Sequence, residues 1–373
     1  MKITCEREKL LEAFQTVAAV APNRSPKPIL QNVKLDVSKD RTLLMATDME
    51  VGIRMEVTGI TAEVEGKALL PVQRFGSILR ESTDDQLVIE ADPQGTVVKG
   101  ERSEFKLPGA NPDEFPDVAA FEDKAHHEVP ARLLKELIRR TIFATDTESS
   151  RYALGGVLLE LEDDKITAVG TDGRRLSKME GPAMSVEGGA SSETMTIVPT
   201  RAMQLLERSL TDGDAEVQIA AHSSDVQVKS PRATIYARLV EGRFPKWRDV
   251  LPQRTGSERI ELTAGPVFAA VRQAAIVTSE ESRGLLFTFD QGTLTLSGQT
   301  AEVGQSRVEL PIAYEGEKIA ISLDHRFVAD FLKVLDPEKS FTLDVQDGEA
   351  AALFTTDDGY GYVVMPLARE GRK

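Results

Sequence analysis

A pattern that recurs three times along the chain constrains the fold more than any single motif. "MKITCEREKLLEAFQTVAAV" alternates like a strand, then spaces Leu10, Leu11, Phe14 and Val17 along one helix face. "HHEVPARLLKELIRRTIF" follows the same order with Leu134, Leu137, Ile138 and Ile142, and "ERIELTAGPVFAAVRQAAIV" does so again. A hairpin-like pair of strands comes after each helix, in "ILQNVKLDVSKDRTLLMATD", "ALGGVLLELEDDKITAVGTD" and "GLLFTFDQGTLTLSGQT". The second half of each third repeats too. "GKALLPVQRFGSILRES", "TMTIVPTRAMQLLERSL" and "KIAISLDHRFVADFLKVL" each read as a strand, a turn and a short amphipathic helix, with more strands beyond. Similar exits, "DEFPD" and "GRFPKW", close the first two thirds. Solenoid units run roughly 20–50 residues, so a period this long means duplicated domains. The chain therefore reads as α+β, with three like domains each built from two strand-helix-strands units. The polar stretches "AFEDKAHHE" and "DVLPQRTGSE" place the boundaries at 1–124, 125–252 and 253–373. "SVEGGASSE" reads as a loop inside the second domain.

Composition narrows the class. No apolar run in the 373 residues approaches the ~18 needed to span a bilayer, and "MKITCEREKL" carries charge where a signal peptide is apolar. Cys5 is the only cysteine, so no internal disulfide forms. A cytoplasmic protein is expected, with no membrane partner. The net charge of −15 argues against a general nucleic-acid binder, yet a few cations gathered on one face can still attract DNA.

No catalytic constellation assembles. His126, His127, His222 and His325 lack the spacing that puts two metal ligands on one helix face, and one cysteine cannot build a thiolate site. No Gly-x-Ser-x-Gly elbow occurs. "EGKALL" resembles a phosphate loop only in Gly66-Lys67, and "GYGYVV" lacks the third glycine of a dinucleotide fingerprint. Asp163-Asp164 and Asp357-Asp358 read as solvated hairpin turns. Neither metal nor cofactor is expected. "AVGTDGRRLSKM" is the exception that invites a function: a strand runs into Thr171-Asp172-Gly173, and Arg174 and Arg175 follow. Such a turn suits an enzyme holding a phosphorylated substrate, or a grip on another protein.

Cations recur on equivalent helices. Arg132, Lys135 and Arg139 stand at i, i+3, i+7, opposite the apolar stripe, and Arg201 and Arg208 repeat the seven-residue spacing. Arg74, Arg80, Arg272, His325, Arg326 and Lys333 supply others. Singly, each is ordinarily a solvated face; together, they could line a sequence-blind surface for a phosphate backbone.

In "MKITCEREKL", "PKPILQNVKL", "SSRYALGGVLLE", "VGTDGRRLS", "EGRFPKWRDVLP" and "YVVMPL" the chain resembles, over its whole length, the sliding clamp of bacterial replication, the beta subunit of DNA polymerase III. The resemblance implies the DNA clamp fold: a homodimeric, head-to-tail ring of six domains with helices lining the hole and sheets outside. It implies no catalytic site. A ring on double-stranded DNA tethers the DNA polymerase III catalytic subunit, is placed by a clamp-loader complex, and serves other polymerases and repair proteins carrying clamp-binding peptides.

Residue roles follow from the same resemblance. Leu154, Thr171, Gly173, Arg174, Arg175, Leu176, Pro245, Val250, Val363, Val364, Met365, Pro366 and Leu367 match a peptide-binding pocket between the second and third domains. Arg24 matches a DNA-contacting loop position; Lys135, Arg139, Arg201 and Arg208 are assigned at the level of their helices. Phe105 and Leu107 would meet Ile276 and Val277 of a second copy, although all four also suit intradomain cores. Arg174 replaces a histidine usual in the family, and Asp249 stands where a basic residue is common. Glu148 replaces a neutral residue and takes no DNA role. The tail Ala368–Lys373 is expected to hang free, so that deleting it leaves peptide binding unchanged.

Overall fold

The computed structural model describes residues 1–148, 153–188, 195–252 and 257–367. Among these, six α-helices form: α1 (Arg7–Ala18), α2 (Val72–Glu81), α3 (Ala131–Thr141), α4 (Thr200–Ser209), α5 (Ala264–Ala274) and α6 (His325–Lys333). Each continues directly from a strand: Lys2–Glu6, Gly66–Pro71, His126–Pro130, Thr196–Pro199, Glu258–Thr263 and Ile319–Asp324 respectively. The turn expected between strand and second helix is therefore missing. Extended backbone runs up to the N-cap, which is Pro71 in α2 and Pro199 in α4, where φ is already fixed and no N–H is needed. α6 alone of the three has a side-chain cap, as Asp324 accepts the Arg326 N–H at 3.0 Å.

The described residues gather into two compact units, Met1–Lys135 with Leu161–Asp164 and Ala183–Leu239, and Glu136–Glu160 with Lys165–Pro182 and Val240–Lys373. In the first unit a nine-stranded sheet joins two thirds of the chain, because Ala233–Arg238 pairs antiparallel with Val51–Glu56 in the register Ile235↔Ile53. A five-stranded sheet of the same unit runs from Ile60–Val64 to Glu104–Pro108. α1 and α2 pack on each other through Phe14 and Phe75, whose ring centroids lie 5.0 Å apart. In the second unit Arg175–Pro182 pairs with Tyr360–Val364, Leu176 opposite Val363. A four-stranded sheet there ends at Gly304–Pro311. Strands of the central third thus extend the sheets of both neighbours. Each pairing satisfies backbone N–H and C=O groups that an edge strand leaves open.

The connector after the first third is fastened to the next one. Asp123 accepts from His222 Nε2 at 3.0 Å, and Asp225 faces His222 Nδ1 at 2.7 Å. Burial pulls the pKa of His222 down, but the two carboxylates outweigh it and raise it above the ordinary 6.5. A raised folded-state pKa gives stabilisation that is complete below the unfolded value and lost as pH climbs through the folded one. Between about pH 6 and about pH 8 the melting temperature of the wild type is expected to fall more than that of His222→Asn. Parallel pH–Tm curves for the two proteins would contradict this.

Candidate functional site

The Thr171–Arg175 turn closes the hairpin of Lys165–Thr171 and Arg175–Pro182, with Thr171 opposite Leu176. Asp172 Oδ1 accepts the backbone N–H groups of Arg174 (2.9 Å) and Arg175 (3.0 Å), and Thr171 Oγ1 donates to the Arg175 carbonyl at 2.6 Å. Gly173 sits at φ +84°, a conformation that suits glycine. The first third repeats this turn closely. Asp48 Oδ1 accepts from Glu50 and Val51, Thr47 Oγ1 donates to the Val51 carbonyl, and Met49 takes the left-handed position at φ +82°.

Both turns grip the second helix of the following third. Arg201 of α4 donates to Asp48 and to the carbonyls of Ala19 and Val20. Arg175 donates to Asp330 of α6 at 2.5 Å, to Asp172 at 3.0 Å and to the Phe143 carbonyl at 2.7 Å, and its guanidinium lies 4.4 Å from the Phe327 ring centre. Every face of Arg175 is occupied. It holds the turn in place and is not available to a phosphate, and Asp172 adds a negative charge at the same spot.

Beside this turn, in the second unit, lies a cavity of about 600 Å³. Its lining brings together Leu154, Thr171, Gly173, Arg174, Arg175, Leu176, Pro245, Val250, Val363 and Met365, all singled out from the sequence. Leu154, Leu176 and Val363 are buried at its floor, whereas Val250 and Met365 are 42% and 47% exposed at the rim. Val364 does not line it: alternation along Tyr360–Val364 turns that side chain, fully buried, to the opposite sheet face. Pro366 and Leu367 lie beyond it, where the Leu367 N–H bonds to the Ser322 carbonyl. Arg243, Phe244 and Lys246 line the cavity without having been singled out. The Arg243 carbonyl accepts the Ala153 N–H at 3.4 Å, and Lys246 directly precedes the short 3-10 helix Trp247–Asp249. Glu160 pins that helix by accepting from Trp247 Nε1 at 3.0 Å and from both Arg248 terminal nitrogens.

Other expected site residues divide by whether they have internal partners. Arg24 and Arg208 are exposed, with no ion pair to a described residue. Lys135 reaches the Leu210 carbonyl at 3.4 Å and Arg139 the Glu136 carboxylate at 3.5 Å, while Arg201 is engaged as above. Phe105 and Ile276 are 38% and 76% exposed; Leu107 is buried and Val277 half-buried. Ala368–Lys373 lies outside the described residues.

Chemistry finds little support. Among the described residues no cluster of three His, Cys, Asp or Glu could hold a metal ion, and no helix is long and apolar enough to cross a membrane. The Cys5 thiol is buried and its pKa is pushed up to about 11, far from thiolate reactivity. His325 Nε2 lies 3.1 Å from Thr278 Oγ1, but that hydroxyl already donates to the Ala275 carbonyl at 2.8 Å. The ring must then be the donor, so it is no base for this hydroxyl.

Threefold repetition of strand-to-helix units, with sheets shared between successive thirds, is the three-domain fold of the DNA clamps. Residues 1–119, 128–246 and 248–368 match, in order, the N-terminal, central and C-terminal domains of the DNA polymerase III beta subunit. The chain belongs to that family, the beta sliding clamps. It is 30% identical to the beta sliding clamp of Pseudomonas putida over 370 residues, covering 98% of this chain and 100% of that one. Among solved structures, the DNA polymerase III beta subunit of Pseudomonas aeruginosa superimposes with a TM-score of 0.86 at 28% identity, over 99% of this chain and 100% of that one. The sliding clamp of the same organism bound to griselimycin gives 0.89, at the same identity and coverage.

Proposed function

We propose that two copies of this chain close head to tail into a ring around duplex DNA, and that the cavity beside Thr171–Arg175 docks short peptides of the proteins the ring tethers. The observation that carries the reading is the junction used twice within one chain, from the Thr47–Val51 turn to α4 and from the Thr171–Arg175 turn to α6. A third pairing is left open. Among the described residues, no helix follows α6 for the equivalent turn of the last third, between Thr293–Thr300 and Gly304–Pro311, to grip, and no turn of an earlier third precedes α2. A second copy supplies both, and a twofold arrangement closes the set. Glu104–Pro108 and Gly304–Pro311 are sheet edges with open backbone groups at the two ends to be joined. Phe105 and Ile276 are exposed beside them, with Leu107 and Val277 as their neighbours. The domain division is then 1–124, 125–252 and 253–373.

Within such a ring, DNA contacts are sequence-blind phosphate contacts, since any base-specific bond becomes a trap for a sliding protein. Arg24 and Arg208 are the strongest candidates, having no ion-pair partner among the described residues; Lys135 and Arg139 keep some reach, and Arg201 serves the junction first. The apolar floor of Leu154, Leu176 and Val363 would take aliphatic anchors of an extended peptide, and Met365 adapts to anchors of different shape. Peptides of the DNA polymerase III catalytic subunit, the clamp loader, other polymerases and repair proteins are the proposed occupants, in the cytoplasm. The protein has no catalysis of its own in this reading. Turnover of phosphorylated substrates is expected to be nil. Fluorescence anisotropy with a labelled peptide bearing two leucine anchors should give saturable binding, weakened about tenfold by Met365→Ala. Equal affinity for both proteins would place the peptide elsewhere.

A further inference from the structure

We infer that Glu160, which does not itself line the cavity, is a positioning residue for peptide docking: it holds the segment 243–250 in place as one side of the cavity before a ligand arrives. The inference rests on the docking role proposed above and adds a residue that sets how much of the protein is in a binding-ready state. Arg243, Phe244, Pro245, Lys246 and Val250 all line the cavity, and all come from this one segment. Apart from the 3-10 helix Trp247–Asp249 it has no regular structure, so side-chain contacts must fix it.

Glu160 supplies those contacts from a rigid element. It stands on the strand Gly156–Leu161, in the same sheet as the Thr171–Arg175 hairpin and Tyr360–Val364. Its Oε1 accepts from Trp247 Nε1 at 3.0 Å and from Arg248 Nη1 at 2.9 Å, and its Oε2 accepts from Arg248 Nη2 at 2.7 Å. The pair with Arg248 is therefore bidentate, a geometry that fixes direction as well as distance. The Arg248 guanidinium also lies 4.3 Å from the Trp247 ring centre, so one carboxylate holds both members of a stacked pair. The Glu160 side chain is mostly buried, which strengthens the clamp relative to open surface.

The first third shows what the same exit does without such a clamp. Phe115, Pro116 and Val118 of its "DEFPDV" correspond to Phe244, Pro245 and Trp247. Phe115 and Val118 pack into a core with Met45 and Leu69. Gly52, one residue past the Thr47–Val51 turn as Leu176 is past its own, lies so close to Val118 that a Cβ there would meet Cγ1 at 2.9 Å. The exit segment itself covers that position. In the second third Trp247 is drawn to Glu160 instead, and Leu176 remains part of the cavity lining. Without the carboxylate, 243–250 is free to settle over the floor. The binding-ready state is then only a fraction of the population, and apparent affinity falls by that fraction.

Trp247 is the only tryptophan in the chain, so its emission reports on the clamp directly. In Glu160→Ala the emission maximum should move from its wild-type position. Stopped-flow anisotropy with the labelled two-leucine peptide should show association about tenfold slower and dissociation unchanged, because the ready state binds as before. Glu160→Gln, which keeps an acceptor for the indole but loses the charge pair, should fall between. If Glu160→Ala does not fold, Arg248→Met serves in its place: that side chain is more than half exposed, and its loss removes the bidentate pair and should also slow association. A purely structural role would lower the melting temperature without slowing association. Association at the wild-type rate in the folded variants, or a loss of affinity due entirely to faster dissociation, overturns the inference while the docking role stands. If the wild type does not bind the peptide, the docking role fails and takes the inference with it.

Discussion

Replacing Phe331 by alanine is expected to destabilise the second unit by about 3–5 kcal/mol, the usual cost of emptying a large aromatic site in a core. Phe331 is fully buried on α6, and four rings surround it. Those of Phe341, Phe354, Tyr360 and Tyr362 lie between 5.0 and 5.4 Å away, the last two stacked at 20° and 14°. The neighbours are themselves fixed: the Tyr362 hydroxyl donates to the Phe327 carbonyl at 3.0 Å, and the Arg140 guanidinium lies 5.2 Å from the Tyr360 ring centre. Little collapse into the vacated space is possible, so the cavity term adds to the transfer term. A fall in melting temperature of about 10 °C is expected by calorimetry. Because α6 also carries Asp330, the partner of Arg175, the same variant should loosen the cavity floor and weaken peptide binding. A fall of only a degree or two would mean that the rings contribute far less than their packing implies.

Ile276→Asp should act on assembly and leave the fold alone. The residue is 76% exposed, in the short 3-10 helix Ala275–Val277 that extends α5, so its loss removes almost no internal packing. In the proposed dimer it is covered by the partner's Phe105 and Leu107, and a carboxylate there is driven into an apolar seam without a donor. The dimer dissociation constant is expected to rise more than about a hundredfold, with the melting temperature of the separate chain unchanged. A variant that stays dimeric at low concentration would put the seam elsewhere. Phe105→Asp should behave alike from the other side.

How much of this was legible beforehand depended on whether the signal was local. All six helices declared themselves through apolar spacing, since each buries one stripe: Leu10, Phe14 and Val17 in α1, Val328, Phe331 and Leu332 in α6. The twin turns were legible as Thr-Asp pairs, because the hydroxyl and carboxylate that build them are adjacent in the chain. What they grip was not. Arg201 reads as one more helix cation, and only the folded chain sets it against Asp48, which lies in the preceding third. Sharing of sheets between thirds was hidden for the same reason, as an edge strand reads like any other until a partner is found. Val364, assigned by resemblance, is absent from the cavity lining while Val363 and Met365 are in it, because alternation sends strand neighbours to opposite faces, a distinction that a motif match does not carry. Arg243 and Lys246 were missed because polar loop residues carry no periodicity.

Retention on DNA tests the central claim most directly. Sedimentation should first give twice the 40.8 kDa of one chain. After assembly onto nicked circular DNA by a clamp loader, the protein should remain bound in salt that strips ordinary electrostatic binders, and should be released once the circle is cut. A ring held only by topology behaves in this way. Release from the intact circle at the same rate as from the linear form, or a single-chain mass under all conditions, would contradict the account.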